Sequence, residues 1–531
     1  MLPTSKISGV NSDNSRNIFE DAQMEPSEFY ASTFKLKGLR LEQNKIEGTG
    51  PDLDFSEQAQ PYPIMLIMEG GDKDWKKKLL GRNLLDSFAL IFSQPGSHGV
   101  IATVLGRSSE RTNGYTLWVA ANSVRRDPPN GLLRNIEHWF TTRKSHEGYV
   151  GGCHVDKPDL QNSLWTAILR NCHSQMCMLL RNMCDRKQKQ SKNTGNAQEW
   201  IKTIGDFAPY PYRRYWQDIQ PGLLSVLQKL EEYSSDNLGP LAEKSTESWK
   251  KGNATDGIPP GIKAETTSKL EEFLNTVTTR CYDLLKSHEK SMEYFLEHCG
   301  ETRAQDEMWL RQLRRFIYMM ANYRRAWYDM VRFKTDHDSA TLWIKCIPNS
   351  EYLKGNSIML TPIFNAGVNM GIYDRAYERK FKREYANLSR KVLPHVHCEM
   401  RILDFVLGSR HLQNFFGYIG CSKGPCWLCY HTLKYMAPDF GMRAPHWKLY
   451  PVWEPPRFQE SPQNREGFIK VLQFLDKTVK DRLDSAMNGQ VKIGQYRYSG
   501  CGPDCPDVEN TFLSPRKSSM PWLREIENNS G

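Results

Sequence analysis

Four residues in the C-terminal third of the chain have the types and spacing needed for metal-assisted hydrolysis. His397 and Glu399 are two residues apart, and Cys426 and Cys429 are three apart. Residues three apart lie on one face of a helix, so the two sulfurs can bind one ion. A His397 nitrogen completes three protein ligands and leaves a fourth tetrahedral position for water. Zinc lowers the pKa of such a water to about 7, and the Glu399 carboxylate can then move its proton.

The sequence around these residues predicts that they lie at the starts of two helices. Residues 394–407 open an apolar helix, residues 415–421 predict a strand, and residues 424–436 predict a second helix. Pro425 is suited to a helix start. Free N–H groups in the first turn stabilise cysteine thiolates, the form that binds zinc. The predicted order is therefore helix, strand, helix.

Two other chemistries remain open for the same residues. His395 could join His397 and the two cysteines in a closed, structural zinc site, with Glu399 only a helix N-terminal carboxylate. C-x-x-C after a strand is also typical of a thioredoxin-like redox pair, although that leaves His397 and Glu399 unexplained. The combination favours the open, catalytic zinc site.

Further short motifs accompany these residues. They are Tyr-Ile-Gly-Cys-Ser-Lys at 418–423, and His446 followed by Lys-Leu-Tyr-Pro-Val-Trp at 448–453. With the H-x-E and C-x-x-C motifs, they resemble the deaminase-like domain of fungal proteins and a rickettsial protein, within the cytidine-deaminase superfamily. That family usually has glycine after the downstream histidine, where Trp447 stands here. The resemblance covers residues 394–453, about an eighth of the chain.

The resemblance implies a three-layer α/β/α core that binds Zn²⁺ through His397, Cys426 and Cys429. The implied reaction is hydrolytic deamination of cytosine or adenine, free or in nucleic acid, by zinc-bound hydroxide with Glu399 as proton shuttle. The candidate substrate-binding residues are Asn122, His446 and Trp427. The alternative is a catalytically inactive, zinc-stabilised scaffold.

The superfamily fold also has a helix and a β-hairpin before the H-x-E helix, and two placements compete. Residues 75–122 show helical periodicity followed by two β-rich runs around a polar turn. Otherwise, strands near 341–363 would complete the sheet locally. We prefer the first placement, in which Asn122 ends the second strand and faces the pocket.

The domain organisation follows from this choice. Residues 1–72 predict a disordered leader, rich in Ser, Asn, Glu and Gly, and residues 73–126 the N-terminal part of the core. Residues 127–390 predict a mainly helical insertion, with a helical hairpin at 269–333. The zinc core spans 391–456, and residues 457–531 predict a helix and a polar tail.

Composition constrains the remaining expectations. The net charge of +10 is a modest excess of 71 basic over 61 acidic residues, and the 13 cysteines are scattered. Without a secretory signal or a long apolar run, we expect an intracellular protein, cytoplasmic or nuclear, with no membrane segment. The helical region 127–335 could bind a protein partner, and its five arginines within 311–325 favour a solvated face over nucleic-acid contact. The oligomeric state is left open.

Overall fold

The chain folds into helices and strands over most of its length. The computed structural model describes residues 18–46, 73–93, 99–107, 114–122, 130–141, 157–190, 201, 213–235, 264–298, 304–336, 341–347, 358–385, 391–392, 394–409, 415–438, 440–443, 445, 449–450, 453–456 and 462–488. All of them belong to one compact unit.

The elements follow one another in four groups. The first group is α1 (Ile18–Asp21), α2 (Pro26–Ile46), α3 (Lys73–Phe92), β1 (Ile101–Arg107) and β2 (Gly114–Ala121). The described residues of the next stretch form five helices, α4 (Asn130–Thr141), α5 (Lys157–Gln190), α6 (Arg213–Ser235), α7 (Ala264–His298) and α8 (Ala304–Asp336). Next come β3 (Thr341–Cys346), β4 (Ile358–Met359), α9 (Leu360–Asn369), α10 (Arg375–Glu384) and β5 (Lys391–Val392). The last group is α11 (Cys398–Gly408), β6 (Tyr418–Cys421), α12 (Trp427–Met436), β7 (Gly441–Met442) and α13 (Pro462–Met487).

Five strands form one sheet in the order β3-β2-β1-β6-β7, and β4 pairs with β5 separately. β1 is antiparallel to both β2 and β6, whereas β3 runs parallel to β2 and β7 parallel to β6. β1 therefore begins at the same edge of the sheet where β2, β3, β6 and β7 end. The chain leaves β6 at this edge and continues into α12, and the start of α11 contacts Asn122, which follows β2 at the same edge.

Helices cover both faces of the sheet. Thr103 faces α3, because its hydroxyl donates a 2.8 Å hydrogen bond to the Leu85 carbonyl. The next residue, Val104, pairs across the sheet with Trp118, whose ring lies 4.4 Å from that of Phe405 on α11. Successive side chains on a strand point to opposite faces, so α3 and α11 lie on opposite sides. The predicted α/β/α fold with a large helical part is confirmed.

The helix and hairpin before residue 123 supply the centre of the sheet. β1 pairs directly with β6, so β1 and β2 belong to the same sheet as the strand between the two ligand motifs. β3 also joins this sheet, as an edge strand beside β2, while β4 lies outside it. The chain between β2 and β3 contains α4 to α8, whose buried side chains form one continuous apolar cluster with those of α3.

The prediction of a disordered leader was wrong for residues 18–46, which form α1 and α2. Tyr30 and Phe34 on α2 are buried, and the Phe34 ring packs edge-on against Phe381 at 5.5 Å. The hydroxyl of Tyr373 donates to the Ala31 carbonyl at 3.1 Å. The stretch is locally too polar to suggest order, and its apolar residues find their partners some 340 residues later in the chain.

The helical region contains a half-buried arginine, Arg324, whose aromatic contacts the sequence did not predict. The Arg324 guanidinium on α8 lies 4.6 Å from the Trp165 ring and 4.3 Å from the Trp327 ring. Cation–π contact of this kind holds an arginine within the protein instead of offering it to a partner. Within the described part of the chain, no helix is both long enough and apolar enough to cross a membrane.

Gly420 allows α3 to approach the sheet closely. A Cβ at this position would lie 2.4 Å from the Leu85 carbonyl carbon, which belongs to the backbone and cannot rotate away. We expect Gly420→Ala to lower the free energy of unfolding by about 1–3 kcal/mol, the usual cost of overpacking. Urea denaturation measures this change.

Gly467→Ala on α13 is the matched control. Its added Cβ would meet only the end of Met436, at an ordinary 3.8 Å, so stability should be unchanged or up to about 1 kcal/mol higher. Equal stability of Gly420→Ala and the wild type would contradict the close approach.

Candidate metal centre

The three candidate ligands come from the starts of α11 and α12. His397 is the residue that caps α11, and Cys426 caps α12, where its sulfur accepts a 3.4 Å hydrogen bond from the Cys429 N–H. Both helices begin with free N–H groups, which favour negative charge nearby. α12 follows the end of β6 within a few residues, so its start lies at the sheet edge described above.

The three side chains meet at distances suited to one ion. His397 Nδ1 lies 3.5 Å from Cys426 Sγ and 3.3 Å from Cys429 Sγ. All three donor atoms lie within 4.8 Å of one another, and all three residues are buried. A tetrahedral ion with bonds of about 2.0–2.1 Å to nitrogen and about 2.3 Å to sulfur separates the two atom types by about 3.6 Å. Both nitrogen–sulfur distances therefore suit one shared metal ion, which these three residues could hold.

His395 does not join this group. Its ring centroid lies 5.1 Å from that of His397, but the described residues contain only one group that could hold a metal ion, and His395 is not in it. Instead, the His395 backbone forms a parallel bridge with Trp453. The closed four-ligand alternative is thus not the arrangement that the structure shows. No disulfide joins Cys426 and Cys429, so both sulfurs are free to bind an ion.

The electrostatics of the cluster favour a negative charge on one sulfur, that of Cys426, beside a positively charged His397. Burial by itself raises the pKa of Cys426, but hydrogen bonds from Cys429 and the charge on His397 hold it well below its usual range. Burial and the neighbouring Cys426 sulfur raise the pKa of Cys429 well above its usual range. Burial lowers the pKa of His397, yet the Cys426 sulfur and Glu399 outweigh this effect and raise it overall. A divalent cation would replace these protons on both sulfurs.

Glu399 is buried in the first turn of α11, with only 3% of its surface exposed. Burial raises the pKa of its carboxyl, against the opposing charge of His397. The Cys398 thiol donates to its Oε2 at 3.5 Å. Glu399 is not part of the candidate ligand cluster.

Asn122 lies beside the site and contacts the start of α11. Asn122 follows β2 at the same sheet edge, and its Oδ1 accepts a 2.6 Å hydrogen bond from the Cys398 N–H. That N–H is one of the helix-start donors without a partner inside α11. Asn122 therefore holds the turn that carries His397 and Glu399, and its contact with substrate remains a prediction.

The structure gives no support for a substrate role of the other two predicted residues, Trp427 and His446. The Trp427 ring packs 4.5 Å from that of His431 and lies 5.2 Å from the Arg482 guanidinium of α13. These contacts are those of a side chain buried between α12 and α13, and they do not support a stacking surface for a base. His446 lies outside the described residues.

Two positioning residues were not predicted from the sequence. The guanidinium of Arg401 is buried and donates to the carbonyls of Ala121 and Ile347, at the ends of β2 and β3, the latter at 3.0 Å. The carboxylate of Asp86 accepts from the Tyr418 hydroxyl at 2.6 Å and from the Cys421 N–H at 2.8 Å. Each is a charged residue within an apolar helical run, and this pattern could have indicated a buried structural role.

The fold and site together are an α/β/α domain whose His397, Cys426 and Cys429 could hold a metal ion. Consistent with this, residues 396–457 match a protein-family model described as OTT_1508_deam-like deaminase, a cytidine-deaminase-like family. The match contains all three candidate ligands and Glu399. No curated protein and no solved structure matches the chain significantly.

Proposed function

We propose that the chain is a zinc-dependent hydrolytic deaminase that acts on the amino group of cytosine or adenine. Water breaks the bond between a ring carbon and the exocyclic amino nitrogen. A carbonyl group replaces the amino group, which leaves as ammonia. One observation carries this proposal. An imidazole and two cysteine sulfurs lie together at the starts of α11 and α12, and the buried carboxyl group of Glu399 lies in the first turn of α11.

The donor set suits zinc. Two sulfurs and one imidazole nitrogen form a borderline-soft set, and three protein ligands are typical of catalytic zinc rather than structural zinc. A zinc ion held there supplies Lewis acidity, which allows water to act as a nucleophile near neutral pH. The cytidine-deaminase-like family match over residues 396–457 supports the same choice.

Glu399 is the proton carrier in this proposal. Its carboxylate takes a proton from the attacking water and delivers it to the departing amino group, which leaves as ammonia. Its burial excludes solvent that would exchange the proton or weaken its interaction with the reacting atoms. The net reaction consumes one water and leaves Glu399 in its starting form.

Other residues of the chain hold this arrangement in place. Asn122 fixes the first turn of α11, and Arg401 ties the same helix to the ends of β2 and β3. The Tyr450 ring stands edge-on to the His397 ring at a centroid distance of 5.4 Å. A site with such supported ligands keeps its geometry during turnover, which proximity catalysis requires.

A substrate screen tests the proposal. Purified zinc-loaded protein is incubated with cytosine and adenine as free bases, nucleosides, nucleotides and single-stranded RNA and DNA, and ammonia is measured. We expect release from at least one cytosine or adenine substrate, with loss after the metal is removed and recovery on its return. Bound zinc without release from any member of the panel would favour the inactive, zinc-stabilised scaffold instead.

A further inference from the structure

One side of helix α10 is basic and exposed to solvent. Five of the ten residues of this helix are lysine or arginine, and two are glutamate. Four of these cations are exposed and recur three or four residues apart, so they lie on one side of the helix. We call this side the basic face, and its members are Arg375, Arg379, Lys382 and Arg383.

No acidic side chain neutralises the basic face within the described part of the chain. Arg379 Nε donates to the Arg375 carbonyl at 3.2 Å, and the half-buried Glu378 pairs with none of the four cations. The Asp374 carboxylate, just before the helix, pairs with Lys35 instead, at 2.8 Å. Like charges four residues apart repel each other and weaken a helix. A polyanion bound along the basic face would remove this repulsion.

The opposite side of α10 is fixed within the protein. Tyr377 and Phe381 are buried, and the Tyr377 hydroxyl donates to the Phe34 carbonyl of α2 at 2.6 Å. An amphipathic helix binds a membrane by placing its apolar side in the lipid. Because this apolar side is already covered, the exposed cations favour a water-soluble polyanion over a lipid surface.

Helix α2 connects α10 to the candidate metal centre. The Phe34 ring packs against Phe381 at 5.5 Å, and Tyr30 lies about 6 Å away from Phe34 along the same helix. The Tyr30 hydroxyl donates to the Trp453 carbonyl at 3.1 Å. The Trp453 backbone pairs with His395, two residues before the first candidate ligand. The basic face is therefore attached, through α2, to the chain beside the metal centre.

Lys391 on β5 adds an exposed cation between α10 and the metal centre along the chain. It precedes His397 by six residues, so the two Cα atoms are at most about 22 Å apart. Positive charge thus occurs both on α10 and close to the segment that carries the first candidate ligand.

We propose that the basic face of α10, together with Lys391, binds the phosphate backbone of single-stranded RNA or DNA and brings a polynucleotide substrate to the metal centre. The arginine fork matches phosphate with two parallel hydrogen bonds. A base must leave its duplex before a deaminase can act on it, so a single strand is the expected partner. Delivery to the centre rests on the proposed function, whereas strand binding itself does not.

Fluorescence anisotropy of a labelled single-stranded oligonucleotide, titrated with the zinc-loaded full-length protein, tests this surface. The triple variant Arg375→Gln/Arg379→Gln/Arg383→Gln removes three charges from the basic face. Affinity should fall by about 10- to 100-fold at 0.1 M salt, and the slope of log affinity against log salt should become shallower by about 2, because each phosphate contact to a single strand contributes about 0.7. The melting temperature should not fall, since the change removes like-charge pairs.

Lys286→Gln/Lys470→Gln/Lys477→Gln is the matched control, because it removes three exposed charges from α7 and α13. It should keep the affinity and the salt slope of the wild type. Absence of strand binding by the wild type, equal losses in both triple variants, or preference for vesicles of anionic lipid over the oligonucleotide would overturn the inference.

The two proposals fail in different ways. Deamination of free bases without any strand binding would overturn the nucleic-acid surface and leave the proposed function standing. Strand binding through the basic face without deamination of any base would contradict the proposed function and leave the surface standing.

Discussion

Replacing Cys429 with serine is expected to remove stoichiometric zinc from the protein and to abolish any deamination. The Cys429 sulfur lies 3.3 Å from His397 Nδ1 and belongs to the only group among the described residues that could hold a metal ion. Loss of a supporting group behind a ligand already costs about 10–100-fold in metal affinity, so loss of the ligand itself should cost more. Zinc content after dialysis, measured by elemental analysis, gives the result directly.

Cys421→Ser controls for the loss of a buried thiol. Cys421 lies at the end of β6, and its sulfur contacts the Ile419 carbonyl rather than the ligand cluster. Burial raises the pKa of this thiol well above its usual range, as expected of an inert cysteine. This variant should retain full zinc. Equal retention of zinc by Cys429→Ser would show that the ion, if bound, is held elsewhere.

Glu399→Gln is expected to produce a protein that keeps its metal and loses its reaction. The amide has nearly the shape of the carboxyl group but cannot carry a proton between water and the leaving amine. General acid–base groups contribute about 10²–10⁴-fold, so kcat/KM for the best substrate should fall by at least that factor. Ammonia release and zinc content are measured on the same preparation.

The exposed Glu466 on α13 provides a matched carboxylate. Glu466→Gln should leave both the rate and the metal content unchanged. Full activity in Glu399→Gln would remove Glu399 from the mechanism. Loss of zinc from Glu399→Gln would point instead to a structural role in holding the ligands.

The candidate ligands could be predicted because the necessary information lies within short stretches of sequence. His397 and Glu399 begin one predicted helix, and Cys426 and Cys429 begin another, with a strand between them. The stabilisation of thiolates at helix starts then marks both cysteines as candidate ligands. The hairpin before residue 123 could also be predicted, since two β-rich runs flank a short polar turn.

The supporting contacts could not be predicted in the same way. Tyr30 and Trp453 are 423 residues apart in the sequence. The local sequence pattern of a polar helix does not indicate which distant segment will pack against it. Arg401 is similar, because its partners are backbone carbonyls of Ala121 and Ile347, which every residue possesses. These contacts depend on how distant segments pack together, and composition and residue spacing do not contain that information.

X-ray absorption spectroscopy of the zinc-loaded full-length protein tests the central claim most directly, because it counts the atoms around the ion. We predict two sulfur neighbours, one imidazole nitrogen and one light atom that is not imidazole, with the imidazole contribution lost in His397→Ala. Two sulfurs with two imidazoles would identify a closed structural site that includes His395. A first shell without sulfur would contradict the metal centre altogether.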